Sequence, residues 1–189
     1  MRVICLSGGL DSAVAILENA DFYDLALTFD YGQPCDWHRE PPEVTAAGVI
    51  ADRAQVPHET VWVEWQCLPA VGLLGGHVGS FSESAVPGRN SLFIAAAAMR
   101  GATSVTLGCN ADDQADFPDC REAVLKAVGV ACGVEVRLPM VDFTKAQIVE
   151  LAKDCALHID DTVTCYRGTG CGEGASCRLL ENALKEWTE

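Results

Sequence analysis

Short apolar runs alternate with helical patterns along this chain, and no other feature narrows its possible folds as far. Residues 2–6, 24–29, 58–63, 104–108 and 134–138 read as strands. Between them, 12–19, 43–55, 90–100, 119–131 and 145–156 read as helices, and 178–187 as a last short one. Local signals agree with these spans. Pro41 and Pro42 can open the second helix, Gly101 can end the third, and Thr144 with Gln147 forms a capping-box pattern. The stretch 92–99 is apolar all round, which predicts a buried helix. Alternation at this spacing predicts an α/β, doubly wound, Rossmann-like fold: a mostly parallel five-stranded sheet with helices on both faces and right-handed crossovers. Ligands of such a sheet sit beyond the carboxyl ends of its strands, at the switch point.

Two stretches break the pattern. Residues 64–88 are rich in Gly and Ser and too long for a tight connection, so they read as a lid or binding loop. Residues 158–176 carry Cys165 and Cys171, with Cys177 directly after, and lead into the last helix. The expected organisation is therefore an α/β nucleotide-binding domain over 1–157. A cysteine loop and short helix, 158–189, pack on that same domain.

The chain is 189 residues long, nearly half apolar, with a formal net charge of −14. That length supports one sizeable core. The acidity argues against direct nucleic-acid binding, yet a local nest of backbone N–H groups can still hold a small phosphorylated ligand. No run of about 18 apolar residues occurs, so no membrane span is expected. The first residues read as a buried strand and lack the marks of a signal peptide. Ten cysteines are dispersed, and Cys5 and Cys109 lie inside apolar runs, which suits a reducing, cytoplasmic setting better than a disulfide framework.

The first strand runs into SGGLDS, Ser7 to Ser12, and then into a helix. Gly8 and Gly9 allow positive φ and close backbone approach, so their N–H groups and the helix N-terminus can surround a phosphate. Ser7 and Ser12 add hydroxyls. Asp11 would repel a phosphate unless Mg2+ stands between them or the carboxylate braces the loop's own amides. Glycine pairs are common in turns; the strand–loop–helix context is what gives this one weight.

This loop resembles that of the PP-loop pyrophosphatases, which split ATP between the α and β phosphates and adenylate a substrate oxygen. The remainder resembles the 7-cyano-7-deazaguanine synthase (QueC) family through matches in order along nearly the whole chain. They are SGGLDS at 7–12, YGQ at 31–33, VPGRN at 86–90, GCNADDQADFPDCR at 108–121, TK at 144–145, and TVTCY with further cysteines at 162–177. VPGRN and FPDCR are the discriminating pieces.

The resemblance implies a PP-loop/HUP-type fold and an ATP-dependent ligase acting on 7-carboxy-7-deazaguanine. Adenylation would turn its carboxylate into a mixed anhydride. Ammonia would then give the amide and, after a second activation, the nitrile preQ0 of queuosine biosynthesis. By the same resemblance Ser7, Gly8, Gly9, Asp11 and Ser12 hold the ATP phosphates, with Arg89 and Asn90 lining the nucleotide pocket. Asn110 and Asp113 follow the fourth strand, where a ligand or Mg2+ would lie. Lys145 either faces the reaction centre or is a solvated first-turn residue. Asp119 and Arg121 suit a guanine-like base and its carboxylate, Asp119 also being able to cap the helix that follows. Tyr31 and Gln33 are further substrate-binding candidates.

Two departures from the family stand out. The pair that usually follows YGQ, Arg-His, is Pro34-Cys35 here, with His38-Arg39 further on. Cys165, Cys171 and Cys177 match zinc positions of the family, but Gly174 stands where a fourth cysteine belongs. Either Zn2+ is retained, with Glu173, His158, a water or the substrate completing the shell, or the metal is lost and the loop is held by packing. These departures leave room for a second reading, in which a protein amine of an antiviral-defence operon replaces ammonia as acceptor. A third is a catalytically silent nucleotide-binding scaffold, against which the intact SGGLDS and PDCR argue. A homodimer is compatible with the sequence and not specified by it.

Overall fold

A computed structural model describes residues 1–31, 41–63, 86–165, 172 and 174–188. All the expected strands form: β1 (Arg2–Cys5), β2 (Leu25–Asp30), β3 (His58–Trp62), β4 (Ser104–Thr106) and β5 (Glu135–Arg137). They lie in the order β3-β2-β1-β4-β5, and every neighbouring pair is parallel. The chain therefore starts in the middle of the sheet and winds outward twice. The reversal falls between β1 and β4, where the exits of two neighbouring strands diverge and leave a crevice.

Alternation along β1 sets up the two layers. Val3 and Cys5 face one side of the sheet, Ile4 and Leu6 the other, and all four are buried. On the Ile4 side pack α1 (Leu10–Glu18), α2 (Pro42–Ala54) and α6 (Lys145–Asp154), through Val14, Ile16, Ile50 and Ile148. The last helix, α7 (Ala175–Thr188), joins this layer through Ala183, with Leu180 and Leu184 beside it. On the Val3 side, α3 (Arg89–Met99) and α5 (Glu122–Cys132) bring Ile94 and Leu125 against Leu27, Val105 and Val136.

Three local expectations need correcting. Helix α3 is not buried all round: Asn90, Ile94 and Ala97 are inside, while Leu92 is exposed and Met99 is 89% exposed. It lies in an outer layer, so only one face meets the sheet. A helix at Ala111–Asp116, α4, is not announced by periodicity. It begins with a capping box in which the Asn110 side chain accepts from the Asp113 N–H (2.8 Å) and the Asp113 carboxylate accepts from the Asn110 N–H (3.2 Å). Helix α5 starts three residues later than predicted, because Pro118–Cys120 makes a single 3-10 turn and Arg121 is extended at the N-cap. Asp119 is therefore not that helix's cap. The Thr144–Gln147 capping box forms as expected.

Gly108, at the exit of β4, fixes how the crevice is built. A Cβ there would lie 2.7 Å from the Ser12 amide nitrogen, so the β4 exit runs directly against the start of α1.

Candidate functional site

The SGGLDS loop is braced by its own hydroxyls. Ser12 Oγ accepts from the Ser7 N–H (3.1 Å), receives the Ser7 hydroxyl (3.0 Å), and donates to the Gly9 carbonyl (3.1 Å). Ser7 Oγ in turn accepts from the Gly9 N–H at 3.3 Å. Only one of the two glycines needs the left-handed region: Gly8 sits at φ +76°, whereas Gly9 is the extended N-cap of α1. At Gly8 a side chain is also sterically excluded, since its Cβ would run into the Glu43 carbonyl oxygen. Behind the loop, the Val163 N–H donates to the Gly8 carbonyl (2.9 Å). The loop is thus clamped between the start of α2 and the segment leading to Cys165.

Asp11 does not brace the loop's amides. Both its oxygens lie 2.6 Å from Lys145 Nζ, and the two side chains are only 20% and 10% exposed. Lys145 is accordingly buried in the first turn of α6, which removes the reading of a solvated residue. Its own backbone N–H donates to Asp112 (2.9 Å), fastening α6 to α4. Asp113 faces the same centre. Burial, and next the negative charge of Asp11, push its carboxyl up to about 6, against the pull of Lys145.

These groups share a cavity of about 200 Å³ at the β1/β4 switch point. Ser7, Gly9, Asp11, Ser12, Tyr31, Arg89, Asn90, Asp113 and Lys145 all line it. Arg89 donates to the Tyr31 hydroxyl at 3.3 Å, and Phe29 and Phe93 stack beneath with centroids 4.1 Å apart. Asn90 ties α3 to the 3-10 turn, donating to Cys120 Sγ (3.2 Å) and the Asp119 carbonyl (3.4 Å). Cys109 and Cys120 also border the cavity. Hydrogen bonding to Cys120 and burial raise the Cys109 thiol well above its ordinary value, so it is a packing group and not a thiolate.

Other expected residues lie elsewhere. Asn110 is fully buried at the cap of α4 and does not line the cavity. Asp119 is half-buried and Arg121 exposed; of that segment only Phe117 and Cys120 reach the cavity wall. Gln33 and Cys171 are outside the described residues, as are Pro34, Cys35, His38, Arg39 and Glu173. One carboxylate that the sequence does not single out also lines the cavity: Glu43, 8% exposed. Its sequence signal is weak, an acidic residue directly after two prolines, indistinguishable from an ordinary first-turn carboxylate.

The donor set fits a hard divalent cation. Asp11 and Asp113 are two partly buried carboxylates close enough for one to raise the other, and a cation between them would relieve that repulsion. For zinc the fit is absent among the described residues, where no group of three or more His, Cys, Asp or Glu side chains is placed to hold a metal ion. Cys165 is buried and Cys177 half-buried, while His158 is exposed.

Comparison with known proteins bears on what such a site is for. The family model described as "Queuosine biosynthesis protein QueC" matches residues 1–188. The chain belongs to the QueC family. It is 33% identical over 216 aligned positions to the 7-cyano-7-deazaguanine synthase of Prochlorococcus marinus (strain NATL2A), covering 97% of this chain and 92% of that one. The corresponding synthase of Parasynechococcus marenigrum is 36% identical over 214 positions, with the same coverage. Among solved structures, NMN synthetase from Francisella tularensis superposes with a TM-score of 0.61 at 18% identity, covering 98% of this chain and 76% of that one. The U34-tRNA thiolase NcsA of Methanococcus maripaludis gives 0.54 at 13% identity, covering 100% and 72%. These two share the fold of this chain. At the family level, the chemistry of this QueC chain is that of an ATP-dependent carbon–nitrogen ligase. Among the described residues, no helix is long and apolar enough to cross a membrane.

Proposed function

We propose that the chain adenylates the carboxylate of 7-carboxy-7-deazaguanine with ATP and passes the acyl group to ammonia, giving first the amide and then the nitrile. The observation that carries this reading is the convergence of the clamped SGGLDS loop with Asp11, Asp113 and Lys145 in one cavity at the switch point, in a member of the QueC family.

The phosphate loop offers backbone N–H groups at the start of α1, where the helix dipole favours negative charge. Lys145 adds a buried cation to the cavity wall, and half-buried Arg89 a second cation. A substrate carboxylate oxygen attacks the α phosphorus, the bond to the bridging oxygen breaks, and pyrophosphate leaves. Ammonia then adds to the acyl carbon, the C–O bond to AMP breaks, and the nitrogen loses a proton. In the second round the amide oxygen is adenylated; loss of AMP and the remaining protons leaves the C≡N bond. A magnesium ion held by Asp11 and Asp113 would screen the phosphate charge. Lys145 then acts chiefly by holding Asp11 in position. The chain's part is positioning and charge stabilisation, and near-attack geometry alone can contribute roughly 7–11 kcal/mol.

Tyr31, Arg89 and the Phe29–Phe93 stack are the described groups best suited to a flat bicyclic base. Asp119 and Arg121 are retained as proposed readers of its polar edge and carboxylate, which requires them to act from beyond the cavity wall. Incubation with ATP, Mg2+, the deazaguanine acid and ammonia tests the reading by mass spectrometry. AMP, pyrophosphate and the amide or nitrile are expected. ADP as the only nucleotide product would overturn adenylation. A second reading, a protein amine as acceptor, draws on Gly174 and Pro34-Cys35. It predicts acid-dependent AMP release with no free amide or nitrile even at high ammonia, and a mass increase on a partner protein. Zinc in the cysteine loop is a separate proposal: at most one ion per chain, bound more tightly after Gly174→Cys.

A further inference from the structure

Glu43 is a buried carboxyl group of this cavity for which adenylation has no use. It lines the same space as the phosphate loop, is 8% exposed, and its Oε2 has no hydrogen-bond partner among the described residues. Its position is fixed with unusual closeness for a carboxylate at a helix start. The backbone carbonyl of Glu43 occupies the space that a Gly8 side chain would need, so the residue is packed directly against the loop. A first-turn carboxylate with only a helix-dipole role would face water, where solvation satisfies both oxygens. This one is turned inward, and an unmet buried acceptor is costly unless a ligand supplies the donor.

The chemistry of that ligand follows from the walls. Phosphates and the substrate carboxylate are anions, and a carboxyl group beside the phosphate loop repels them. Neither cation of the cavity donates to Glu43 Oε2: Lys145 is paired with Asp11, and Arg89 donates to the Tyr31 hydroxyl. What Glu43 can receive is therefore an N–H donor, neutral or cationic. Among the reactants of the reaction proposed above, ammonia is small enough to reach a buried oxygen beside the loop and must lie next to the acyl adenylate to attack it.

We infer that Glu43 is the docking group for the attacking amine, accepting an N–H hydrogen bond on Oε2 and holding the nitrogen beside the phosphate loop. The inference rests on the proposed ligase reading, and its test separates the two. Acid-dependent exchange of pyrophosphate into ATP reports adenylation alone; amide formation with varied ammonia reports the acceptor step. Absence of exchange in the wild type would overturn the ligase reading itself. With exchange present, Glu43→Gln replaces a carboxyl oxygen by an uncharged amide, and should raise KM for ammonia about 10-fold or more while exchange stays within about 3-fold. Glu43→Asp, which keeps the acceptor but shortens its reach, should recover part of that loss. A Glu43→Gln effect on KM for ATP would assign the N–H donor to the adenine amino group, and an effect on the acid to the substrate base. A changed Mg2+ requirement would make Glu43 a metal ligand. Each of these, or an unchanged ammonia KM, overturns the inference. If both variants fail to give a folded protein by circular dichroism, Glu43 is a structural residue and the inference falls as well.

Discussion

The two ends of the same parallel sheet treat charge in opposite ways. At the amino end, charged groups are paired at the surface. Arg2 reaches Asp24 at 2.7 Å, the hydrogen bonds from Arg2 hold the Asp24 carboxyl down to about 2, and the terminal amine of Met1 donates to Thr103. At the carboxyl end, charges are buried and strained against one another. Asp113 is pushed up to about 6, Glu43 to about 7, and the Asp11–Lys145 pair lies inside the cavity. A folded chain has no stability reason to collect carboxylates where they resist ionisation. The amino end is what selection for folding alone produces; the carboxyl end carries a cost that binding has to offset.

The sharpest way to break this comparison is to remove Asp11. Asp11→Ala takes the facing carboxylate away from a buried Lys145, costing about 3 kcal/mol of stability, and should cut acid-dependent AMP release by at least about 100-fold. Adding Lys145→Met should recover much of the stability and none of the activity. Thermal melts alongside AMP assays read both quantities. If the double variant recovers turnover, the pair is structural and the contrast between the two ends disappears.

Next in size is the phosphate loop itself. Gly8→Ala combines a left-handed φ of +76° with a clash against the Glu43 carbonyl. It should cost about 2–3 kcal/mol and abolish nucleotide binding. Gly133, at φ +71° after α5, meets nothing within 4 Å. Gly133→Ala should cost only about 1 kcal/mol and leave activity intact. Equal effects in denaturant titration and nucleotide binding would mean that the close approach at Gly8 is not what the site depends on.

How much of this is legible in the sequence follows the same division. Strands and helices can be read because each buries a regular stripe, as when Val3 and Cys5 alternate with Ile4 and Leu6. The loop residues Ser7 to Ser12 can be read because strand, glycines and helix occur together. The Asp11–Lys145 pair cannot, since 134 residues separate its members and no local pattern encodes a contact at that range. Glu43 escapes notice for a related reason: what brings it to the cavity is packing of its backbone against Gly8, far away in the chain. Helix α4 is hidden because four of the six residues Ala111–Asp116 are polar and the other two are alanines, leaving no apolar periodicity, although Asn110 and Asp113 do spell a cap.

Acid titration separates the two ends by sign. For Glu43 burial comes first, with Cys165 and Asp30 adding repulsion, and the folded value of about 7 lies above the ordinary 4.5. The folded protein therefore takes up the proton before the unfolded chain does. Stability should rise as pH falls through about 7 and level off below about 4.5. Asp113 contributes with the same sign between about 6 and 3.8. Glu43→Gln should flatten the upper part of the profile, so melting curves of the two proteins should differ more at pH 8 than at pH 5. A gap that widens toward acid would show that Glu43 is stabilised as the anion, and its assignment to the costly end would fail.

The smallest effect is expected at the amino end. Asp24 has a folded value of about 2, below the ordinary 3.8, because it accepts from the Arg2 side chain and backbone. Its sign is the reverse of that at Glu43: the contribution is present above 3.8 and is lost as pH falls through about 2. Both side chains are 42% exposed, so water and salt screen the pair, and its loss at neutral pH should be hard to detect. Asp24→Asn should leave activity and the neutral melting temperature unchanged and remove only this acid-side loss. The amide oxygen that the substitution introduces can still accept from the Arg2 backbone N–H, which keeps the β1–β2 entry in register. A large neutral destabilisation would mean that this exposed pair organises the sheet after all. Charge at the amino end would then be as consequential as charge in the cavity, and the difference between the ends would have to come from burial alone.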